Sequence, residues 1–314
     1  MRYFTKMNAI IFTRYGLLIG TVLMLVVGRV DGQAPNNKAF SREHLVAWCI
    51  VPFDAKQRTP KDRAAMLANL GITKLAYDWR DEHIPTFDEE WEALQQHGID
   101  LFAFWLPSNV DPANEPHIQQ VFAFLERNHI KTQLWYLPGW FAGYENLVEG
   151  FSEMSRQEQI ATISEPIRYV AERARKLGCS VGLYNHGGWF GEPENQIAII
   201  QHLGLDNVGM VYNFQHGRHH LARFSEFYPK MKPYLSCINV VGLASGDEVK
   251  VVPLGTGDME YRLLQQIVNS GYDGPMSIQN HRSDRDAEEA LISERNGLHK
   301  ILTALSHLPD NRGK

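Results

Sequence analysis

Residues 181–196 read VGLYNHGGWFGEPENQ, an apolar strand-like run that stops in a glycine-rich turn and continues into a helix starting at Pro193. The turn carries a phenol, an imidazole and an indole, on Tyr184, His186 and Trp189. Strand-to-helix turns of this composition are suited to contacting a ligand. We therefore place the centre of a candidate site here. Helix capping by the polar residues is the alternative interpretation.

The same order of apolar run, turn and amphipathic helix repeats eight times along the chain. Strands that are apolar throughout require a parallel sheet covered by helices on its faces, and eight such units close into a barrel. The sequence thus predicts an α/β fold, a single-domain (β/α)8 TIM barrel. The predicted strand and helix pairs are 45–53 with 59–71, 72–79 with 87–97, 99–106 with 116–128, 130–137 with 156–177, 179–184 with 193–203, 208–212 with 220–228, 235–241 with 259–269, and 276–279 with 286–305.

Residues 1–32 differ in composition from the remainder. Arg2, Lys6 and Arg14 precede an apolar run at 16–28, which predicts a signal peptide cleaved before Gln33 and an exported protein, periplasmic or secreted. An uncleaved membrane anchor formed by the same run is the alternative. The predicted order of segments is then a linker at 33–44, the barrel at 45–307 and a frayed tail at 308–314.

The net charge bears on the kind of partner that the protein binds, and the cysteine content bears on whether it forms disulfides. The net charge is −5 and the pI about 6.2, with no run of Lys and Arg, so the electrostatic footprint of a nucleic-acid-binding protein is missing. Cys49, Cys179 and Cys237 are the only cysteines, and each lies in or beside an apolar run. We expect them to be small buried hydrophobic residues rather than disulfide partners.

Closure of the barrel would bring the carboxyl ends of all strands to one mouth, where such barrels carry their chemistry. Five of the seven tryptophans fall there, and indole faces pack against the apolar faces of sugar rings while amides and imidazoles bind hydroxyls. We predict a small carbohydrate ligand, with membrane contact only through an uncleaved N-terminal segment. The predicted substrate-binding residues are Tyr184, Asn185, Trp189, Asn213, Asn239, Gln279, Trp79, Trp105 and Trp135.

Several motifs resemble a known family. These are the turn NHGG at 185–188, VGMVYNFQH at 208–216, LGTGD at 254–258 and GYDGPMSIQNH at 271–281. In order and spacing they are similar to the xylose isomerase-like TIM-barrel superfamily of sugar phosphate isomerases and epimerases. The resemblance implies the fold but not one reaction, because the superfamily also includes inositol-modifying enzymes, keto-glycoside lyases and an endonuclease branch.

The resemblance also implies a ligand set for one divalent metal: Glu, Asp, His and Glu after strands five to eight. The matching positions are Tyr184, Asn213, Asn239 and Gln279, so none of the usual ligands is retained. A charge pair is worth roughly 4 kcal/mol at about 4 Å and an effective dielectric near 20, and three such pairs are lost. We expect this metal site to be weak or absent, which leaves the cofactor open.

Three histidines, His186, His216 and His281, are predicted near the mouth. They could bind a divalent metal, act as general acid and base, or donate hydrogen bonds to sugar hydroxyls, and the sequence does not decide among these roles. Among the acidic residues that could supply a base, Asp78 is the strongest candidate, ahead of Glu192 and Glu194. We expect His219 and His220 to be carried away from the site into solvent.

The turn Gly255-Thr256-Gly257 could bind an anion at the start of the seventh helix, although a structural turn is the favoured interpretation.

The leading functional hypothesis is an exported enzyme that acts on a sugar or keto-sugar by abstracting a proton next to a carbonyl. Isomerisation, epimerisation and elimination of a glycosidic group, a lyase reaction, all fit this description. His186 and His216 would be acid and base, with His281 and Asp78 assisting. The alternative is a non-catalytic sugar-binding barrel. A metal-dependent phosphodiesterase is disfavoured by the acidic charge and the missing carboxylates.

Overall fold

The computed structural model describes residues 44–139, 146–280 and 282–307. The predictions for the N-terminal segment at 1–32, for the linker up to residue 43, for His281 and for the tail at 308–314 fall outside these residues.

Eight parallel strands form a closed barrel, which confirms the predicted (β/α)8 architecture. The barrel strands are β1 Leu45–Trp48, β2 Lys74–Tyr77, β3 Asp100–Trp105, β4 Gln133–Tyr136, β5 Ser180–Tyr184, β6 Val208–Asn213, β7 Leu235–Val240 and β10 Met276–Gln279, whereas β8 Gly242–Ala244 and β9 Lys250–Val252 form a separate hairpin. Neighbours follow the order β1-β10-β7-β6-β5-β4-β3-β2, and closure comes from the pairing of β1 with β10, in the register Leu45 with Met276 through Trp48 with Gln279.

Helices alternate with the strands at the predicted positions. Their bounds are α1 Pro60–Leu70, α2 Phe87–Gln96, α3 Pro116–Arg127, α4 Arg156–Lys176, α6 Pro193–Leu203, α8 Phe224–Met231, α9 Glu260–Asn269 and α10 Ala287–Ser306. Two one-turn helices follow strands five and six, α5 Gly188–Gly191 and α7 Phe214–Gly217. None of the described helices is both long and apolar enough to cross a membrane.

Local sequence signals account for these boundaries. Thr59 caps α1 by accepting a hydrogen bond from the Asp62 amide, and Gly71 ends the helix with φ 67°, a left-handed conformation that glycine adopts without steric cost. Ser155 and Glu158 form a reciprocal capping box at the start of α4. Such signals are local, so the sequence located these helix starts closely.

Three features depart from the sequence prediction. The first strand ends at Trp48 instead of residue 53, because Cys49 has φ 56° and cannot continue an extended ladder. The helix predicted at 220–228, α8, begins at Phe224 instead of residue 220, because the His220 side chain turns inward and a 3-10 turn follows it. An antiparallel hairpin, β8 Gly242–Ala244 with β9 Lys250–Val252, was not predicted.

Large aromatic side chains fill the barrel interior. Trp135 is fully buried, and its ring centroid lies 4.7 Å from that of Trp48 and 5.7 Å from that of Tyr184. Gly182 pairs with Trp135 in the sheet, and a Cβ added to it would lie 2.7 Å from Val211 Cγ2 and 3.2 Å from Trp135 Cδ1. The interior therefore has room for the indole only because residue 182 has no side chain.

The three cysteines are buried and form no disulfide, as the sequence predicted.

A buried ion pair joins α1 to α2. Arg63 donates from Nε to Glu90 Oε1 at 3.0 Å and from Nη2 to Glu90 Oε2 at 2.9 Å, and both residues are 2% exposed. The remaining guanidinium nitrogen donates to the Arg58 carbonyl at 3.1 Å. Each nitrogen of the Arg63 guanidinium thus has a hydrogen-bond acceptor. Loss of either partner would leave the charge of the other uncompensated in the protein interior.

We predict that Glu90→Gln lowers the free energy of unfolding by about 3–5 kcal/mol, because Arg63 would remain buried without a counter-charge. The matched control is Asp88→Asn on the same helix, which breaks an exposed pair with Arg127 and should cost at most about 1 kcal/mol. Urea denaturation followed by circular dichroism measures both. Equal losses for the two variants would contradict the assigned importance of the buried pair.

Candidate functional site

A cavity of about 480 Å³ opens at the carboxyl ends of the barrel strands. This volume lies within the range of small-molecule sites. Its wall combines indoles and a phenyl ring with one carboxylate, two guanidinium groups and two imidazoles. The lining residues are Trp48, Cys49, Phe53, Asp78, Arg80, Trp105, Tyr184, His186, Asn213, Gln215, His216 and Arg218.

Asp78 directly follows β2 and is the carboxylate of this wall. It is 2% exposed, its Oδ1 accepts a hydrogen bond from the Val51 amide at 3.3 Å, and its Oδ2 has no hydrogen-bond partner within the described residues. Burial raises the pKa of Asp78 to about 7, against the lowering effect of the Arg80 charge. A carboxyl group with such a pKa can both take up and release a proton near neutral pH.

Cys49 lies next to Asp78 at the end of β1. Its left-handed backbone is uncommon for a residue with a side chain, and such strain is concentrated at functional sites. Burial, reinforced by the Asp78 charge, raises the pKa of the thiol well above its ordinary value. The thiol therefore stays protonated and is not a nucleophile.

His186, after β5, and His216, in α7, face the same cavity. Their ring centroids are 4.0 Å apart, and the Tyr184 ring lies 6.4 Å from the first and 5.7 Å from the second. Both side chains are partly exposed. The structure thus brings together two of the three predicted histidines with Asp78 in one cavity.

The four positions that the family resemblance assigns to a metal form one hydrogen-bonded network. Asn213 Nδ2 donates to the Tyr184 hydroxyl at 2.5 Å and to Gln279 Oε1 at 3.1 Å, and Asn239 Nδ2 lies 3.5 Å from the same hydroxyl. All four residues are at most 4% exposed. Burial raises the pKa of the Tyr184 hydroxyl, so the network is neutral.

This network does not fit the divalent metal of the family. Its donors are one phenol and three amides, and hydrogen bonds within the barrel already engage them. Asn239 Oδ1, for example, accepts from the Ser277 hydroxyl at 2.6 Å, and Gln279 Nε2 donates to Gln215 Oε1 at 2.6 Å. A divalent cation would have to break these bonds without gaining a carboxylate.

Six predicted binding residues are not in the cavity wall: Asn239 and Gln279, which belong to the network above, and Asn185, Trp79, Trp135 and Trp189. Asn185 is fully buried and exchanges two hydrogen bonds with the Asn213 backbone, which extends the pairing of β5 with β6. Trp79 donates to the Trp105 carbonyl at 2.8 Å, and Trp135 belongs to the barrel interior. Trp189 packs edge-on against Phe151. Of the predicted tryptophans within the described residues, Trp105 alone is in the cavity wall.

His219, His220 and Glu192 lie together outside the cavity wall. The prediction that both histidines are exposed is wrong for His220, which is 4% exposed because its ring packs against Tyr212 and Phe227. Burial and the adjacent His219 lower the pKa of His220 to about 4. Glu192 does not face the cavity and is not available there as a base.

The turn at Gly255 and Gly257 has a structural role and does not form an open anion site, which is the interpretation that the sequence favoured. The backbone amides of both glycines donate to Glu260 Oε1, at 3.1 Å and 2.9 Å, and the Leu243 amide donates to Glu260 Oε2 at 3.0 Å. Glu260 is fully buried. The chain's own carboxylate therefore occupies the place that an external anion would take.

Sequence reasoning missed several cavity residues. Trp48 donates from Nε1 to the Tyr184 hydroxyl at 3.2 Å. The sequence predicted a first strand that extends to residue 53, so Trp48 was expected in the middle of that strand and not at its end. Arg80 follows the recognised Asp78 by two positions, and Arg218 follows His216 by two. Their position just after strands two and six was a signal available in the sequence. Phe53 and Gln215 were also missed.

The pKa of Asp78 predicts a dependence of stability on pH. The unfolded carboxyl titrates near about 4 and the folded one at about 7, so the folded state binds more protons between these values. The contribution of Asp78 therefore falls as pH rises across this window and stays low above it.

Asp78→Asn removes this titration. We predict that the unfolding free energy of the variant, minus that of the wild type, rises by at most about 1.4 kcal/mol per pH unit between about pH 4 and pH 7 and then levels off. Glu294, whose pKa burial also raises to about 7, contributes to both proteins and cancels. Urea titrations at several pH values measure the difference, with the exposed Asp100→Asn as control. A difference independent of pH would contradict the raised pKa.

Comparison with known proteins identifies relatives of this fold. The family model described as Xylose isomerase-like TIM barrel matches residues 65–300. No curated protein sequence matches the chain.

Several solved structures are similar at low sequence identity. The 3-keto-D-glucoside 4-epimerase from E. coli is 14% identical over 83% of this chain and 99% of its own, with a TM-score of 0.62. The IolI protein with a bound zinc atom is 14% identical over 84% and 99%, with a TM-score of 0.63. An L-ribulose 3-epimerase is 13% identical over 84% and 99%, with a TM-score of 0.60. These likenesses establish the shared fold. Since the family model covers most of the barrel, the chain belongs to the xylose isomerase-like TIM-barrel family.

Proposed function

We propose that this protein is an enzyme that abstracts a proton next to the carbonyl group of a sugar or keto-sugar. The observation that carries the proposal is Asp78, a buried carboxyl with a pKa of about 7 that lines the cavity and has one oxygen without a partner among the described residues. A general base works best when its pKa lies near the working pH.

The cavity wall supports a carbohydrate as the substrate. Trp48, Trp105 and Phe53 offer apolar faces to the carbon-bound hydrogens of a sugar ring, and His186, His216 and Gln215 can bond its hydroxyls. Similar structures include a 3-keto-D-glucoside 4-epimerase and an L-ribulose 3-epimerase, whose names denote chemistry at sugar carbons. A sugar also matches the size of the cavity.

In the proposed reaction, ionised Asp78 takes the proton from the carbon beside the carbonyl, and the electron pair moves to the carbonyl oxygen to give an enediolate. Arg80 and Arg218 are the positive groups of the wall and would stabilise that oxygen. One histidine of the pair His186 and His216 then protonates oxygen or carbon. Return of the proton to a different face or carbon gives epimerisation or isomerisation, and loss of a glycosidic group gives elimination.

The family metal has no part in this proposal, because the donors at the corresponding positions do not fit it. The charge that a divalent metal would supply at the carbonyl oxygen comes here from guanidinium groups. Arg80 is held in place by donating to the Trp79 carbonyl at 2.7 Å, and its guanidinium carbon lies 5.7 Å from the centroid of the Phe53 ring.

We propose in addition that residues 1–32 direct export of the protein, with retention through residues 16–28 as the alternative. The support is the positively charged start followed by an apolar run. N-terminal sequencing of the mature protein distinguishes cleavage before Gln33 from an uncleaved anchor.

Proton–deuterium exchange tests the proposed reaction. We expect NMR in D₂O to show exchange at a carbon next to the carbonyl in at least one member of a panel of keto-sugars. Asp78→Asn should slow this exchange by roughly 10²- to 10⁴-fold, because an amide cannot accept the proton. The exchange rate of the wild type should rise with pH through about 7, the pKa of Asp78.

The matched control is Asp100→Asn, an exposed carboxylate at the start of β3, which should exchange like the wild type. Unchanged exchange in Asp78→Asn would remove Asp78 from the role of base. Sugar binding without exchange in any keto-sugar would instead favour a non-catalytic sugar-binding barrel, an alternative supported by the neutral network at the positions that the family resemblance assigns to a metal.

A further inference from the structure

Outside the cavity wall, Glu192, His219 and His220 bring three ligand atoms to one point. Glu192 precedes α6, and the two histidines follow α7, so the cluster joins the loop after β5 to the loop after β6. The distances are 3.1 Å from His219 Nε2 to Glu192 Oε1, 3.0 Å from His219 Nε2 to His220 Nδ1, and 3.6 Å from His220 Nδ1 to Glu192 Oε1. Within the described residues this is the one group of three such side chains whose ligand atoms converge closely enough to hold a metal ion.

We propose that Glu192, His219 and His220 form a binding site for a divalent cation of the zinc class. A zinc ion lies about 2.0–2.1 Å from its imidazole nitrogens, so neighbouring ligand atoms of its tetrahedron are about 3.3 Å apart. The three distances in the cluster bracket this value. Two imidazoles and one carboxylate are a donor set that zinc and similar borderline cations prefer over magnesium or calcium.

Hydrogen bonding alone satisfies the cluster poorly. A single proton on His219 Nε2 can be donated to Glu192 or to His220 but not to both, so one of these two short contacts is left without a hydrogen bond from it. A cation at the centre accepts a lone pair from all three atoms at once. The triangle is therefore better suited to a metal than to one shared proton.

Surrounding residues orient the ligands in the way that metal sites require. The unused nitrogen of His220, Nε2, lies 2.9 Å from the Tyr212 hydroxyl, and a proton on Nε2 leaves Nδ1 free to bind a metal. Gly217 permits this contact, because a Cβ there would collide with the Tyr212 hydroxyl and lie 3.0 Å from His220 Nε2. Arg223 donates to Glu192 Oε2 at 3.3 Å, which leaves Oε1 on the imidazole side.

The site has room for a fourth ligand. His219 has 51% of its side chain exposed and Glu192 has 32%, whereas His220 closes the inner side. Water or a small molecule can therefore complete a tetrahedron from the solvent. A bound cation would also tie together the two loops that carry His186 and His216, without belonging to the cavity itself.

Cobalt titration of the tag-free, chelator-treated full chain tests the proposal. Tetrahedral Co²⁺ has visible absorption bands, and we expect one equivalent to bind and to be displaced by Zn²⁺. His219→Ala and Glu192→Gln, both at solvent-accessible positions, should each weaken binding at least about 100-fold, and Tyr212→Phe by about 10- to 100-fold. Zn²⁺ should raise the melting temperature of the wild type but not of His219→Ala.

His202→Ala is the matched control, since His202 is an exposed histidine on the adjacent helix α6, and it should bind like the wild type. Asp78→Asn and the double variant His186→Ala, His216→Ala should also retain the metal, which separates this site from the proposed reaction. No Co²⁺ spectrum in the wild type, unchanged binding in His219→Ala, or loss of binding in the cavity double variant would each overturn the proposal.

Discussion

The first barrel strand, Leu45–Trp48, is hydrogen-bonded to the last, Met276–Gln279, and the geometry of the site depends on this closure of the sheet. Because all eight strands are parallel, closing the sheet brings their carboxyl ends to one rim. Residues far apart in the chain, such as Trp48 and Tyr184, are then within hydrogen-bonding distance. The cavity exists because the ring is closed and because aromatic side chains fill its interior up to the level of the rim.

Neutral groups occupy the four positions that the family resemblance assigns to a metal. Tyr184, Asn213, Asn239 and Gln279 satisfy one another and their neighbours, so the barrel needs no cation to balance buried carboxylates there. The groups of the cavity wall that can carry a full charge lie on other residues, Asp78, Arg80 and Arg218. Burial raises the pKa of Asp78 to about 7, so near neutral pH this carboxyl can both take up and release the proton that the proposed reaction transfers.

Three other buried carboxylates, those of Glu90, Glu260 and Asp54, are paired with specific protein donors. Glu90 is matched by Arg63, and Glu260 by the backbone amides of Leu243, Gly255 and Gly257. Asp54 is held by Arg58 and by the Ala287 amide at the start of α10. These contacts fix loops and helix starts around the barrel, and they mark the carboxylates concerned as structural. Asp78 differs from them because one of its oxygens lacks such a donor among the described residues.

The sequence by itself determined the elements whose signals are local. Alternation of apolar runs with amphipathic helices gave the number and order of units, and the helix starts predicted at 59 and 156 lie within one residue of the observed ones, where Thr59 and Ser155 are the caps. The motifs at the ends of strands five, six and eight pointed to the mouth of the barrel, where Tyr184, His186, Asn213 and His216 do lie in the cavity wall. The left-handed Cys49 and the inward turn of His220 could not be foreseen, because tertiary packing imposes them.

Only the tertiary structure decided how side chains at the mouth divide between cavity, core and rim. Trp79, Trp135 and Trp189 lie near the carboxyl ends of strands, as Trp105 does, yet packing directs their side chains elsewhere. Similarly, nothing in the spacing of Glu192 and His219 predicts that their side chains meet, since two different loops carry them. Local sequence fixes backbone periodicity, but the direction of a side chain depends on neighbours distant in the chain, and these are set only when the barrel closes.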